Sequence, residues 1–491
     1  DFREGVHPHY AGIYCNRSLD GGLTWLPNDV RVIAGFAPGQ STSINQTLSC
    51  INNDVFVTWE DLRDGSRDVY FQHSVDAGAT WLANDVRVDT GDPAGAANSV
   101  FPRHVVSGND IHVIWSDFRN SNFSGDIYYN HSLDAGATWL PAAIRIDHSP
   151  NVTYQGAIFP RIAVAGSSVY VMWHDNPDDP NFQLLSRDVF FNRSLDRGLT
   201  WLPTDIRLNT SGPAGTFFTE FPDLCASGNE VFAVWIDRRQ PRTVAFNRSL
   251  DSGTTWLATD VPISSPPTNS FPNIDVPRIA ASGPLLLATW ADDRDGDFDV
   301  YANSSSDSGT TWLQQEQRLD TGSPAGDTNS YLPVPALDGT SPYVAWQDQR
   351  GGMTNVFFNL PFGHLPYGAG LAGSGGFVPQ LNGQGLAKSG ETCTYPISDA
   401  LGGAPAALVL GLQKANAPVL GGTLLVDPIV IDSLILGGAS GVPGAGIQNP
   451  TIALPNSPAF IGFSIFSQLL VLDPAAPGGL SMSAGIELWI G

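Results

Sequence analysis

The residues in this chain that could do chemistry fall into a few small sets. Arg103, Arg161 and Arg278 close the phrases Phe-Pro-Arg, Phe-Pro-Arg and Val-Pro-Arg, which recur at one fixed point of successive sequence repeats. A guanidinium repeated in this way can pair with a carboxylate or hold an anionic ligand. Carboxylates suited to acid–base work are scarce: Glu4, Glu60, Glu220, Glu230 and Glu316 are the only Glu before residue 363. Of these, Glu220 stands at a strand start, just before Phe221-Pro222, and Tyr331 takes the equivalent place in the last repeat. Asp293, Asp295, Asp297 and Asp299 alternate along one stretch and offer the hard oxygens that calcium prefers. The distal Glu of a calcium loop is missing, which favours a solvated acidic loop and no cofactor. No His-x-x-x-His or related spacing suggests zinc.

These residues hang on a repeated element. The pattern Ser-x-Asp-x-Gly-x-Thr-Trp begins at Ser18, Ser74, Ser132, Ser194, Ser249 and Ser305, at intervals of 56, 58, 62, 55 and 56 residues. In each copy the Asp (Asp20, Asp76, Asp134, Asp196, Asp251, Asp307) is expected to accept backbone N–H groups one or two residues on. The Gly then closes the turn with a positive φ. The Trp that follows (Trp25, Trp81, Trp139, Trp201, Trp256, Trp312) is placed to wedge into a neighbouring layer. The third period shows four alternating strands, at 101–106, 111–115, 126–129 and 143–146. Six more of the 13 Trp end the second strands, each followed in five of the six repeats by Asp-x-Arg. Four short antiparallel strands per period is the pattern of a propeller blade.

The repeated loop resembles the Asp box of the sialidase-type β-propellers over residues 1 to about 360. The resemblance implies an all-β chain with a six-bladed ring, or alternatively a seven-bladed one, whose first strands line a central channel. Counting strands leaves one third strand over in a six-bladed ring, at Tyr14 or at Phe357. Sialidases bind a substrate carboxylate with three Arg and use a Tyr activated by Glu as nucleophile. That would make Arg103, Arg161 and Arg278 ligand residues, and Tyr331 with Glu220 a catalytic pair. The Arg-Ile-Pro motif of those enzymes is absent. A catalytic site also places unlike residues in different blades, so repetition favours ion pairs between blades.

Beyond the propeller (1–362), residues 363–376 are rich in Gly and Ala and are expected to form a linker. Residues 377–491 carry short apolar runs cut by Gly, Pro, Asn and Asp, the pattern of a small β-sandwich. The runs starting at Leu454, Leu472 and Ile486 resemble a C-terminal module of secreted bacterial proteins, notably of planctomycetes. The formal net charge is −24, all 22 Arg precede residue 351, and both Lys lie in the last domain. So acidic a chain repels nucleic acid and anionic lipid. No apolar run reaches a membrane span, and Asp1 opens no signal-peptide pattern, so any export signal is expected to be already absent. Asn16, Asn45, Asn122, Asn130, Asn151, Asn192, Asn209, Asn247 and Asn303 satisfy the N-glycosylation sequon. The main expectation from the sequence is a non-catalytic, secreted bacterial protein that assembles head to tail with copies of itself. Its docking segments would be the surplus strand and the terminal strand Ile486 to Ile490. The alternative is a sialidase-like hydrolase or a glycan-binding propeller.

Overall fold

The computed structural model describes residues 11–19, 24–35, 37, 42–149, 155–176, 187–215, 218–239, 241–265, 273–313, 316–320, 324–338, 341–352, 354–359, 364–383, 390, 392–457, 460 and 463–490. The chain is all-β. It falls into two compact units, Asp1–Gly283 and Pro284–Gly491.

In the first unit, four-stranded antiparallel sheets follow one another along the chain, each with its strands in sequence order, and Gln155–Gly156 adds a short parallel strand beside Ser124–Ser132 of the second. Their first strands are Ser43–Ile51, Ser99–Ser107, Ile158–Ala165 and Thr219–Ser227, and a fifth, Ile274–Ser282, follows. Each first strand packs against the first strand of the next sheet, so these strands form the inner layer. The second strands behind them are buried, wholly apolar in Val231–Ile236 and with a few buried polar residues such as Glu60 and His112 elsewhere, and they carry Trp59, Trp115, Trp173 and Trp235, all fully buried. Tyr14–Cys15 pairs with Val30–Arg31 in a sheet of two strands, and Ile13 and Val32 bury against Val57 and Trp59 of the next sheet.

The repeated loops hold by a network that differs in one detail from the expectation. Asp76 accepts the Thr80 N–H (2.8 Å) and the Thr80 hydroxyl (2.7 Å), while the Ser74 hydroxyl donates to Asp76 and accepts the Gly78 N–H. The acceptor therefore reaches four residues ahead, not one or two. The same bonds recur at Asp134, Asp196, Asp251 and Asp307. Asp20 lies outside the described residues. Both the Gly and the residue before it take positive φ, as at Ala77 (57°) and Gly78 (79°). Three of the Trp meet an aromatic ring of the preceding sheet edge-on: Trp139 on Phe71 at 5.0 Å, Trp201 on Tyr129 and Trp256 on Phe191 at 4.9 Å. These Trp are half-buried, and Trp25 is exposed.

In the second unit, Leu285–Asp292, Asp299–Ser305 and Gln317–Arg318 pair in order. Ser330–Asp338, Ser341–Asp348 and Asn355–Asn359 form a three-stranded sheet. The strand around Phe357 is thus built in as a third strand of its own sheet. Further on, a six-stranded sheet contains His364–Tyr367, Gly485–Trp489, Ser464–Leu472, Pro405–Gly411 and Val430–Ile435 in that order, with Leu480–Met482 beside Ser464–Leu472. It shares a core of Tyr395, Leu408, Leu469, Leu488 and Ile490 with the smaller strands around Ile397. Two expectations change here. His364–Tyr367 lies in the stretch expected as a linker, yet it is a strand of this sheet. The terminal strand Gly485–Trp489 is paired on both sides, by His364–Tyr367 and by Ser464–Leu472, so it offers no open edge for a neighbouring molecule. Among the described residues no helix is long and apolar enough to cross a membrane.

Candidate functional site

The first strands Ser99–Ser107, Ile158–Ala165 and Thr219–Ser227 are each broken by a bulge at the Pro of the repeated phrase. Pairing slips between Val100 and Arg103, between Ile158 and Arg161, and between Glu220 and Asp223. The residue before the Pro is forced left-handed: Phe101 at φ 56°, Phe159 at 54°, Phe221 at 47°, Val276 at 42°. Pro lacks the N–H that a regular ladder needs, so it suits the unpaired position, and the bulge re-aims the side chains on either side.

The bulge gives Arg103, Arg161 and Arg278 one common setting. Each guanidinium donates to the carbonyl of its preceding Pro, at 2.8, 3.2 and 3.3 Å. The fourth sheet carries Asp223 at the same register, and this carboxylate lies 3.2 Å from Arg161 and accepts the Ile279 N–H at 3.1 Å. The three guanidinium groups are close enough to repel one another. Burial, followed by repulsion from Arg278, lowers the pKa of Arg103, against the pull of Asp223 and Glu60. Burial and then Arg278 bring Arg161 down to about 9, with Asp223 opposing and Arg103 adding to the effect. His104, beside Arg103, donates to or accepts from the Thr58 hydroxyl at 2.8 Å. Burial and then Arg103 hold its pKa at about 3, so the ring is neutral. Glu60 is fully buried and accepts Asn45 Nδ2 (2.7 Å) and the Phe101 N–H (2.6 Å). Burial raises its pKa against those two bonds and against Arg67 and Arg103.

This arrangement gathers positive charge in a chain that is otherwise strongly negative. Three forks converge, with Asp223 and Glu60, and Asp275 beside Arg278, as carboxylates that face them. The Asp-x-Arg pairs behave differently, because they close within their own turns: Arg63 on Asp61 and Arg119 on Asp117, both at 2.6 Å. Asp223 was legible as Phe221-Pro222-Asp223, the same phrase with its charge reversed, but only the Arg members stand out when cations are sought. Glu60 gave no signal beyond its scarcity.

The other expected residues are engaged elsewhere. Glu220 is ion-paired with Arg238. Tyr331, in the second unit, packs its ring 5.2 Å from Phe298. Asp295 accepts the Tyr301 hydroxyl at 2.6 Å, Asp297 donates its N–H to Gly326 and Asp299 pairs with Arg318. Among the described residues no group of three or more His, Cys, Asp or Glu is set to hold a metal ion. Asn130, Asn192, Asn209, Asn247 and Asn303 are buried, and their side chains bond within the fold, as Asn130 Nδ2 does to the Val88 carbonyl at 2.8 Å. A sugar cannot be attached to these five in the folded chain. Asn16, Asn45 and Asn122 are exposed, and Asn151 lies outside the described residues. All four cysteines are free thiols.

No family model and no curated protein matches the chain. Among solved structures it is similar to the Hadza microbial sialidase Hz136, at 17% identity over 65% of this chain and 66% of that one, with a TM-score of 0.41. It is also similar to a Penicillium chrysogenum α-L-arabinanase, at 14% identity over 65% of this chain and 92% of that one, TM-score 0.40. A Trypanosoma rangeli sialidase matches at 9% identity over 94% of this chain and 92% of that one, TM-score 0.37. All three likenesses are loose.

Proposed function

We propose that the chain binds the acidic group of a carbohydrate, a uronic or sialic acid carboxylate, through Arg103, Arg161 and Arg278, and that it binds without turning the sugar over. The observation that carries this reading is the convergence of three mutually repelling, partly desolvated guanidinium groups on the inner strands. Like charges held together out of water cost free energy, and an anion seated among them returns it through charge-assisted hydrogen bonds. Binding is preferred to hydrolysis because Glu220, the expected activator, is committed to Arg238.

Titration calorimetry of the intact chain with glucuronate, N-acetylneuraminate and glucose tests the reading. The two acids are expected to bind, glucose is not, and Arg161→Gln is expected to weaken the acids about 10- to 100-fold, as for a lost charged hydrogen bond. Equal binding of acid and neutral sugar overturns it. A fluorogenic sialoside hydrolysed by the intact chain but not by Tyr331→Phe replaces the binding reading with the enzymatic one.

A further inference from the structure

Two of the four thiols belong to one junction between sheets, apart from the anion site. Cys15 lies on Tyr14–Cys15 of the two-stranded sheet, and Cys50 on Ser43–Ile51, the first strand of the sheet that follows. Cys50 stands directly opposite Val55 in the antiparallel ladder, so these two side chains leave their sheet on the same face. That is the face Cys15 meets, because it packs against the core that Val55 and Val57 form with Ile13, Val32 and Trp59. One repeated loop closes over the junction. A Cβ on its Gly78 would come within 3.4 Å of Cys15 Sγ, and its Ala77 donates the N–H to the Asn53 carbonyl at 2.7 Å, in the turn that joins Cys50 to Val55.

The later repeats show what these two positions do. Cys15 holds the place of Phe71 and Phe191 before the loop Ser, and Cys50 holds the place of Val106 and Ala226 at the end of the first strand. Phe71 shares one core with Val106, and Phe191 shares another with Ala226, so the two places face a common core across the junction. An aromatic ring fills its place tightly: a Cβ on Gly136 would come within 2.8 Å of Phe71, and one on Gly253 within 2.7 Å of Phe191. The smaller side chain of Cys15 leaves slack, which a sulfur bridge to Cys50 takes up. Burial and then the neighbouring Cys50 raise the pKa of Cys15, with Arg17 opposing and Asp29 adding to the shift, and burial raises that of Cys50. Cys225 sits on a different sheet and Cys393 in the second unit.

We propose that Cys15 and Cys50 are a thiol pair that a small-molecule disulfide oxidises to a cystine, tying the two-stranded sheet to the four-stranded sheet beside it. Cys50 is exposed and Cys15 half-buried, so Cys50 meets the oxidant first. Its thiolate attacks one sulfur of the small disulfide, whose S–S bond breaks, and half of the reagent leaves as a thiol. The Cys15 thiolate then attacks Cys50 Sγ, forming the Cys15–Cys50 bond and expelling the second half. Two electrons pass to the reagent, and the two protons end on the two small thiols released.

The test treats the intact chain with oxidised glutathione, quenches with acid, and digests with trypsin without reduction. A cross-linked pair of peptides, 4–17 with 32–63, is expected, and titration in denaturant is expected to find two free thiols in place of four. The rate is expected to be about 10-fold higher at pH 8 than at pH 7, since both thiols ionise above neutrality and the thiolate is the nucleophile. The oxidised chain is expected to melt about 4–10 °C above the reduced chain, as for a closed loop of this kind. Each protein is compared with its own reduced form, so a loss of stability in Cys15→Ser or Cys50→Ser does not obscure the result: both variants lose the cross-link and the shift, and Cys225→Ser keeps them. The proposal is overturned if Cys50 stops at the glutathione adduct with Cys15 still a thiol, if the cross-link engages Cys225 or Cys393 or joins two copies of the chain, or if the oxidised chain melts no higher than the reduced one.

Discussion

At the scale of single residues, Asp175 shows what a departure from the repeat does. In five other second strands the equivalent carboxylate is followed two positions on by an Arg, which donates back to it, as Arg63 does to Asp61 and Arg350 to Asp348. At this point the chain has Pro177. Asp175 is 1% exposed, and burial pushes its pKa up to about 7; Ser149 and the Asn176 N–H act against that shift, while Asp147 and Asp205 add to it. The unfolded chain holds an ordinary Asp that ionises near pH 4. Because the folded value is the higher one, the folded state binds the proton more tightly. The stabilisation is therefore full below about pH 4 and is lost as pH rises through 7. Asp175→Asn supplies a neutral side chain at every pH, so its melting temperature relative to the parent is expected to be unchanged at pH 4 and higher at pH 8. Scanning calorimetry at the two pH values measures this. A variant less stable than the parent at pH 8 would show the ionised carboxylate to be useful.

At the scale of elements, two kinds of Trp are repeated and they do different work. The second-strand residue Trp115 is fully buried and its indole N–H donates to Asp117 at 2.8 Å. The loop residue Trp139 is half-buried and touches Phe71 edge-on. Trp115→Ala is therefore expected to cost about 3–5 kcal/mol, the range for a deleted core aromatic, and Trp139→Ala about 1–3 kcal/mol from partial burial and one aromatic pair. Urea unfolding with linear extrapolation compares them, and equal losses would refute the distinction. The period of the loops, the four-strand content and the Trp positions were legible because each is a local pattern with a local cause. The bulge was legible in principle, since a Pro inside a strand marks one, but its consequence for Phe101 and Phe159 is a matter of φ that the residue letters do not carry. The burial of Asn130 and the enclosure of Gly485–Trp489 depend on partners 42 and about 120 positions away. No window of sequence contains both sides of such a contact.

At the scale of the whole molecule, a positive site sits in a chain of formal charge −24, and the two act over different distances. The mean field of the chain repels an approaching monoanion out to the Debye length, about 30 Å at 0.01 M salt and about 8 Å at 0.15 M. The guanidinium groups act at contact, and Arg161, with its side chain 11% exposed, is screened less than a surface charge. Added salt therefore removes the long-range repulsion before it weakens the short-range attraction. The association rate of glucuronate is expected to rise between 10 and 150 mM NaCl, by about 2- to 10-fold for steering of this kind, with the dissociation rate nearly constant. A basic patch on a basic protein shows the opposite slope, with binding strongest at the lowest salt. NMR line-shape titrations at 10, 50 and 150 mM NaCl give both rates. Binding that weakens steadily from 10 mM upward would mean that the anion meets exposed surface cations, and that the buried cluster of Arg103, Arg161 and Arg278 is not its site.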